Sequence, residues 1–334
     1  MIISRAPLRI SFVGGGTDLP DFYRQYPGRV ISVAIDKFVY ILVNRIPYTK
    51  KVIAKWRTTE VVNHASELEH TRIKHALLDS GIEKDIEIGS FADIPAKSGL
   101  GSSSSFSVAL LKGLNALLGK NLSQQEVAEA ACRLEIELLK EPIGKQDQYA
   151  AAFGGLNIIQ FNPDDTVEVK PVFLPYNKKK AFQAHLLLFS TGITRSAGSV
   201  LSEQKLNIPD RIGTLKEMAD LVFEFEKCLL ASDFQSAGQI LHQNWQRKKS
   251  LASKISNNLF DSFYEVGLNN GAWGGKTLGA GGGGCLLFIA PLEKQESIRK
   301  AMREFAEREK LNDFGEIPAR FVECGADIVY RDSR

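Results

Sequence analysis

The chain reads as an α+β protein, and three features of the sequence predict that class. Its first third is dominated by strand-like runs at 2–13, 30–45 and 51–62, rich in β-branched and aromatic residues. A second β-rich stretch at 185–192 is followed by a helical pattern over about 196–269 and by a return to β character at 285–290. Helices and strands do not alternate one for one, which disfavours a doubly wound parallel sheet. With 334 residues, 44% hydrophobic and 24% charged, the chain can form one large or two ordinary domains.

The elements follow in order. Residues 2–13 form a strand that Pro7 is expected to break, and it feeds the turn GGGTDLP at 14–20. VISVAIDKFVYILVNR at 30–45 holds one strand, or a pair joined near Asp36 and Lys37. A helix is expected over about 66–80 with Gly81 past its end, then a strand at 85–91. Ser123 with Glu126 three residues on predicts a capping box for a helix at about 124–140, ending before Pro142. Strands are expected near 156–161 and 166–173. The stretch Pro171 to Lys180, with two prolines and three consecutive lysines, marks an expected boundary between domains 1–175 and 176–334. An amphipathic helix at about 292–310 and a strand within 318–330 close the chain.

Several function classes are excluded. Forty-two basic against 39 acidic residues leave a charge of +3, too balanced to argue for a nucleic-acid partner. No run approaches the ~20 apolar residues that span a bilayer, so no membrane partner and a cytoplasmic location are expected. Cys132, Cys228, Cys285 and Cys324 are widely spaced and the five histidines form no metal-binding pattern, which points to reduced thiols and no zinc.

The most informative stretch is DIPAKSGLGSSSSFSVALLKGLNALL at 93–118. A Gly/Ser turn runs straight into an apolar helix, so Ser102 to Ser105 form a first turn whose N–H groups lack partners and whose dipole end is positive. Gly99 and Gly101 let the main chain approach a phosphate, and Lys97 adds a positive charge. A flexible linker is a poor alternative for a turn of about nine residues between a strand and a buried helix. Two near-matches fail: GAWGGKT at 271–277 has Asn270 where a phosphate loop needs glycine, and FVGGGTD is not GxGxxG. Three glycine-rich turns remain, at 14–16, 99–101 and 279–284, and together they suggest backbone loops converging on one ligand.

Their order identifies a resemblance. APLRISFVGGGTD at 6–18, PAKSGLGSSSSF at 95–106 and LGAGGGGC at 278–285 resemble the GHMP sugar and isoprenoid kinases across essentially the whole chain. That resemblance implies a ribosomal protein S5 domain 2-like N-terminal domain and a ferredoxin-like C-terminal domain, with ATP and Mg²⁺ as cofactors. ATP phosphates would lie on Lys97, Ser98, Gly99, Leu100, Gly101, Ser102, Ser103 and Ser104. Asp147, in GKQDQYAAAFGG, would be the base and Arg9 the cation at the transferring phosphate. Ser103 and Glu135, with Glu137 as the alternative, would hold Mg²⁺. Gly15, Gly16, Thr17, Asp18, Lys145, Gln146, Gly281 and Gly282 would line the sugar site. Arg195, with Lys145 and Lys97 behind it, would meet a distal phosphate.

Gly15 and Gly16 stand where galactokinases carry Glu-His, so the GGGTDLP form is similar instead to the kinases of heptose 7-phosphates and of L-fucose. The implied partners are ATP and a small sugar phosphate, and the implied reaction is transfer to the anomeric hydroxyl of the heptose, for nucleotide-activated heptose. A kinase for a free sugar and a non-catalytic sugar and ATP sensor are the alternatives. The helical second half leaves room for a homodimer.

Overall fold

The structure, a computed structural model, describes residues 1–194 and 197–332. It is α+β, with two sheets among the described residues. The first is built on two long strands, β1 (Ile2–Val13) and β2 (Gly28–Arg45), paired antiparallel. Pro7 does not break β1. The pairing shifts register between Pro7 and Leu8, so Asp36 and Lys37 of β2 bulge out and the strand absorbs the missing N–H. For the same reason 30–45 is one strand rather than two. Its C-terminal half pairs with β5 (Ile86–Ala92), which continues to β3 (Val52–Lys55) and β4 (Thr59–Val62). Its N-terminal half pairs with β6 (Leu156–Phe161), which pairs with β7 (Val167–Pro171). The last strand, β12 (Asp327–Arg331), returns to pair with β1.

One face of this sheet carries α3 (Ser102–Leu117). Gly113 lets it sit close: a Cβ there would lie 2.7 Å from Ser4 Oγ, which donates to the Ala109 carbonyl at 2.7 Å. Val108, Leu110 and Leu114 are fully buried against the sheet, each contributing roughly 1.5–3 kcal/mol. Beside it lie α2 (Thr71–Asp79), α4 (Gln124–Cys132) and α5 (Gln146–Phe153). The capping box at Ser123 and Glu126 forms as expected. The helix expected over 124–140 becomes a π-helical turn at Arg133–Leu138, which turns Glu135 fully inward. A one-turn helix, α1 (Pro20–Tyr23), follows the first glycine turn.

The second sheet is antiparallel, β11 (Gly315–Glu316), β8 (Leu186–Ser190), β10 (Cys285–Ile289) and β9 (Gly274–Thr277) in that order. Around it pack α7 (Ala197–Ala231), α8 (Phe234–Lys249), α9 (Asn258–Asn269) and α10 (Gln295–Arg308). Residues 176–180, expected to belong to the boundary stretch Pro171 to Lys180, begin a helix, α6 (Tyr176–Ala184); Phe182 is buried, with its ring 5.4 Å from Phe12. Phe225 of α7 stacks on Phe12 at 5.3 Å, so the two halves share one core.

Candidate active site

The three glycine turns meet. Gly101 caps α3 in the left-handed conformation, φ +78°, with no side-chain cap, which leaves the N–H groups of the first turn pointing outward. Gly99, φ +81°, lies so close to the third turn that a Cβ would sit 2.6 Å from the Leu278 carbonyl oxygen. A Cβ on Gly279 would in turn meet Gly99 Cα at 2.8 Å. Glycine is required at both by contact as well as by φ. These turns border a cleft of about 1110 Å³. That exceeds the ~300–1,000 Å³ of a site for one small ligand and has room for a nucleotide with an acceptor.

Arg9 of β1 and Asp147 of α5 face each other across this junction. The guanidinium is 3% exposed and grips the carboxylate through Nε and Nη2, both at 2.8 Å, while Nη1 donates to the Gly99 carbonyl at 2.7 Å. Three of its five N–H groups are thus used, and two remain for an incoming anion. The backbone ties the same residues together, since Arg9 N donates to the Leu100 carbonyl at 3.0 Å. One arginine therefore couples the carboxylate to the phosphate loop.

Next to this pair Asp18 is 4% exposed and accepts from the N–H groups of Gly16 at 3.1 Å and Gln146 at 3.3 Å. Burial, reinforced by the charge of Asp147, raises its pKa above the usual carboxylate value. Lys248 of α8, absent from the residues singled out in the sequence, faces the same space. Its ammonium donates to the Gly279 carbonyl at 2.8 Å, and burial pushes its pKa down to about 8 against the attraction of Asp18. A signal existed: Leu241, Trp245 and Lys248 recur at helical spacing, and a lysine in a buried stripe is unusual. Gln204 of α7 also lines the cleft and had no comparable signal.

Of the expected residues, Lys97, Gly99, Gly101, Ser102, Ser103, Ser104, Gly16, Asp18, Gln146, Asp147, Arg9 and Gly281 line the cleft. Gly15 lies beside it, with Lys248 Nζ 3.4 Å from where its Cβ would be. Others are used elsewhere. The Leu100 side chain is in the core and Ser98 is turned inward, its carbonyl accepting from Cys285 N at 3.0 Å. Thr17 is fully buried and pins the turn to Arg29 of β2, its hydroxyl accepting from Arg29 N at 2.9 Å. Lys145 pairs with Asp165 and lies over the Tyr23 ring. Gly282 N donates to the Ile255 carbonyl, and Gly282 itself does not line the cleft although Gly281 and Gly283 on either side of it do. Arg195 lies outside the described residues.

The expected Mg²⁺ pair is not brought together. Ser103 is exposed and lines the cleft, whereas Glu135 does not line it and is fully buried. Its Oε1 accepts from Ser107 Oγ at 2.7 Å and Arg72 Nε at 3.2 Å, and its Oε2 from Ser104 Oγ at 2.8 Å and Gln148 Nε2. Four donors saturate that carboxylate, so it does not fit a metal ligand in this arrangement. Glu137, the alternative, does not line the cleft either. No group of three or more His, Cys, Asp or Glu among the described residues forms a metal cluster.

A glycine-built helix start beside a paired aspartate and arginine is an arrangement suited to phosphoryl transfer. The family described as GHMP kinases N terminal domain matches residues 60–155, and that described as GHMP kinases C terminal matches 225–308. The chain belongs to the GHMP kinase family, whose members transfer phosphate to hydroxyl groups. Within it the chain is a sugar kinase. It is 28% identical to the D-glycero-alpha-D-manno-heptose 7-phosphate kinase of Campylobacter jejuni, covering 91% of this chain and 93% of that protein. It is 26% identical to the L-fucokinase/L-fucose-1-P guanylyltransferase of Bacteroides fragilis over 97% of this chain, which spans 37% of that longer protein. A solved D-glycero-D-manno-heptose 1-phosphate kinase from Bacteriodes thetaiotaomicron shares the fold over 100% of both chains, with TM-score 0.81 at 24% identity. No helix among the described residues is long and apolar enough to cross a membrane.

Proposed function

We propose that the chain phosphorylates the anomeric hydroxyl of D-glycero-D-manno-heptose 7-phosphate with ATP, giving the 1,7-bisphosphate. The similarity to the Campylobacter enzyme along nearly the full length of both chains supports this acceptor. The observation that carries the mechanism is the Arg9 and Asp147 pair set against the phosphate loop. Phosphoryl transfer needs alignment and neutralised charge more than covalent chemistry. The first turn of α3 and Lys97 receive the ATP phosphates. Arg9 offers its two free N–H groups to the transferring phosphate. Asp147, oriented by the same guanidinium, takes the proton of the acceptor hydroxyl. Mg²⁺ belongs to this reading as the counter-ion of the nucleotide, with no protein carboxylate assigned to it. Asp18, next to that pair, accepts from sugar hydroxyls.

The test is ADP release over a panel of D-glycero-D-manno-heptose 7-phosphate, mannose 6-phosphate, L-fucose and galactose. Turnover confined to the phosphorylated sugars is expected. Asp147→Asn should cut turnover by about 10²- to 10⁴-fold with ATP binding retained. Turnover of L-fucose alone would replace the heptose with a free sugar, and ATP binding without turnover of any acceptor would favour a sensor.

A further inference from the structure

Gln204 is 1% exposed, yet it lines the cleft, and neither its carboxamide oxygen nor its nitrogen has a hydrogen-bond partner. Buried amides in folded chains are satisfied almost without exception, and leaving both ends unmade costs stability. The carboxamide sits at the first glycine turn, where Gly16 packs so closely that a Cβ there would lie 2.4 Å from Gln204 Nε2, and the residue borders the cleft. The same glycine turn delivers Asp18, whose carboxylate already takes two backbone N–H groups. Beside it Lys248 spends one of its three N–H groups on the Gly279 carbonyl. Four unused N–H groups, two on Lys248 and two on Gln204, the Gln204 amide oxygen and a carboxylate are therefore contributed by a turn, α7 and α8.

We propose that Gln204 is an acceptor-positioning residue: its carboxamide donates to one sugar hydroxyl and accepts from the neighbouring one, with the Lys248 ammonium donating to the same sugar. A carboxamide presents a donor and an acceptor side by side, which matches adjacent hydroxyls of a polyol and does not match the apolar surface of other small acceptors. Sites that hydrogen-bond a substrate group discriminate strongly against analogues lacking it. The inference rests on the acceptor being a sugar and does not depend on which sugar it is.

The experiment compares wild type with Gln204→Met and Gln204→Asn on whichever panel sugar the wild type turns over, so failure of the heptose assignment leaves it intact. Gln204→Met keeps the length of the side chain and removes its polar atoms. It should lower kcat/KM for the sugar about tenfold or more, chiefly through KM, with the KM for ATP unchanged, and it should raise Tm because an unmade buried amide is gone. Gln204→Asn should retain more activity on the sugar than Gln204→Met while being less stable. A lower Tm for Gln204→Met, or equal losses towards ATP and sugar, would assign Gln204 to packing and overturn the proposal. An unchanged KM for the sugar in both variants would overturn it as well.

Discussion

The two sides of the cleft are built on opposite principles. The side next to α3 is made of main chain: Gly99, Gly101 and Gly279 adopt positive φ, and a Cβ on Gly99 or Gly279 would collide with the facing turn. The side next to Asp18 is made of side chains, Asp18, Gln204 and Lys248 buried and Gln146 half-buried, drawn from a turn and three helices. A backbone-built site is indifferent to side-chain chemistry but intolerant of added atoms. A side-chain-built site has the reverse sensitivities, and it carries the cost of burying charge, visible in the raised pKa of Asp18 and the lowered pKa of Lys248. The first arrangement suits a phosphate donor, whose oxygens demand N–H groups and little else. The second suits an acceptor that must be distinguished from close relatives.

The contrast can be broken most severely at Gly99. Gly99→Ala places a methyl group against the Leu278 carbonyl and forces a positive φ on alanine, strain of about 1–3 kcal/mol before any loop shift. Steady-state kinetics should show kcat/KM for ATP falling about 100-fold, with the affinity for sugar nearly unchanged. An unaltered KM for ATP would mean that the loop accommodates a side chain.

Beneath the same loop, Glu135→Gln sharpens the comparison by separating a structural carboxylate from a metal ligand. Replacing an acceptor-only group by an amide confronts either Ser107 and Arg72 or Ser104 and Gln148 with a donor. Denaturant unfolding should report a loss of about 1–3 kcal/mol, while the Mg²⁺ concentration for half-maximal activity stays within twofold. A many-fold rise in that requirement would make Glu135 a ligand after all.

The smallest effect belongs to Lys248. Its ammonium is protonated below about pH 8 in the folded protein, so activity on the acceptor should fall some two- to tenfold between pH 7 and 9, a limb absent from Lys248→Met. Stability moves the other way. The unfolded lysine, with its ordinary pKa of 10.5, holds more protons than the folded one between about pH 8 and 10.5. The cost of burying the charge is therefore full below that window and is lost as pH rises through it. Thermal melts should show the Tm of Lys248→Met gaining least on wild type at the alkaline end.

The glycine turn that opens α3 was legible because its determinants are contiguous. PAKSGLGSSSSF carries its glycines, its helix start and its buried helix in one run of chain, and local physics decides all three. The capping box at Ser123 was legible for the same reason. What misled was local evidence whose outcome is set by partners far away in the chain. Pro7 looked like a strand break, yet the bulge at Asp36 and Lys37 in β2 absorbs it. Thr17 and Lys145 sit inside motifs that point to a ligand, but Arg29 and Asp165 claim their side chains. Glu135 was visible as an acidic residue before Asp147, and only the π-helical turn and four surrounding donors settle what its oxygens face.

The sequence by itself determined the α+β class and the glycine turn that opens α3, because each depends on residue type and short-range spacing, while Arg9, Asp147 and Asp18 were reached through the resemblance to GHMP kinases. Only the tertiary structure decided that Arg9 grips Asp147, that Glu135 is saturated, and that Gln204 and Lys248 belong to the cleft. Those outcomes require segments that are not neighbours in the chain, 138 residues apart for Arg9 and Asp147 and 31 for Lys248 and Gly279, to be packed together, and hydrogen bonding and desolvation act on the assembled neighbours whatever their order in the chain.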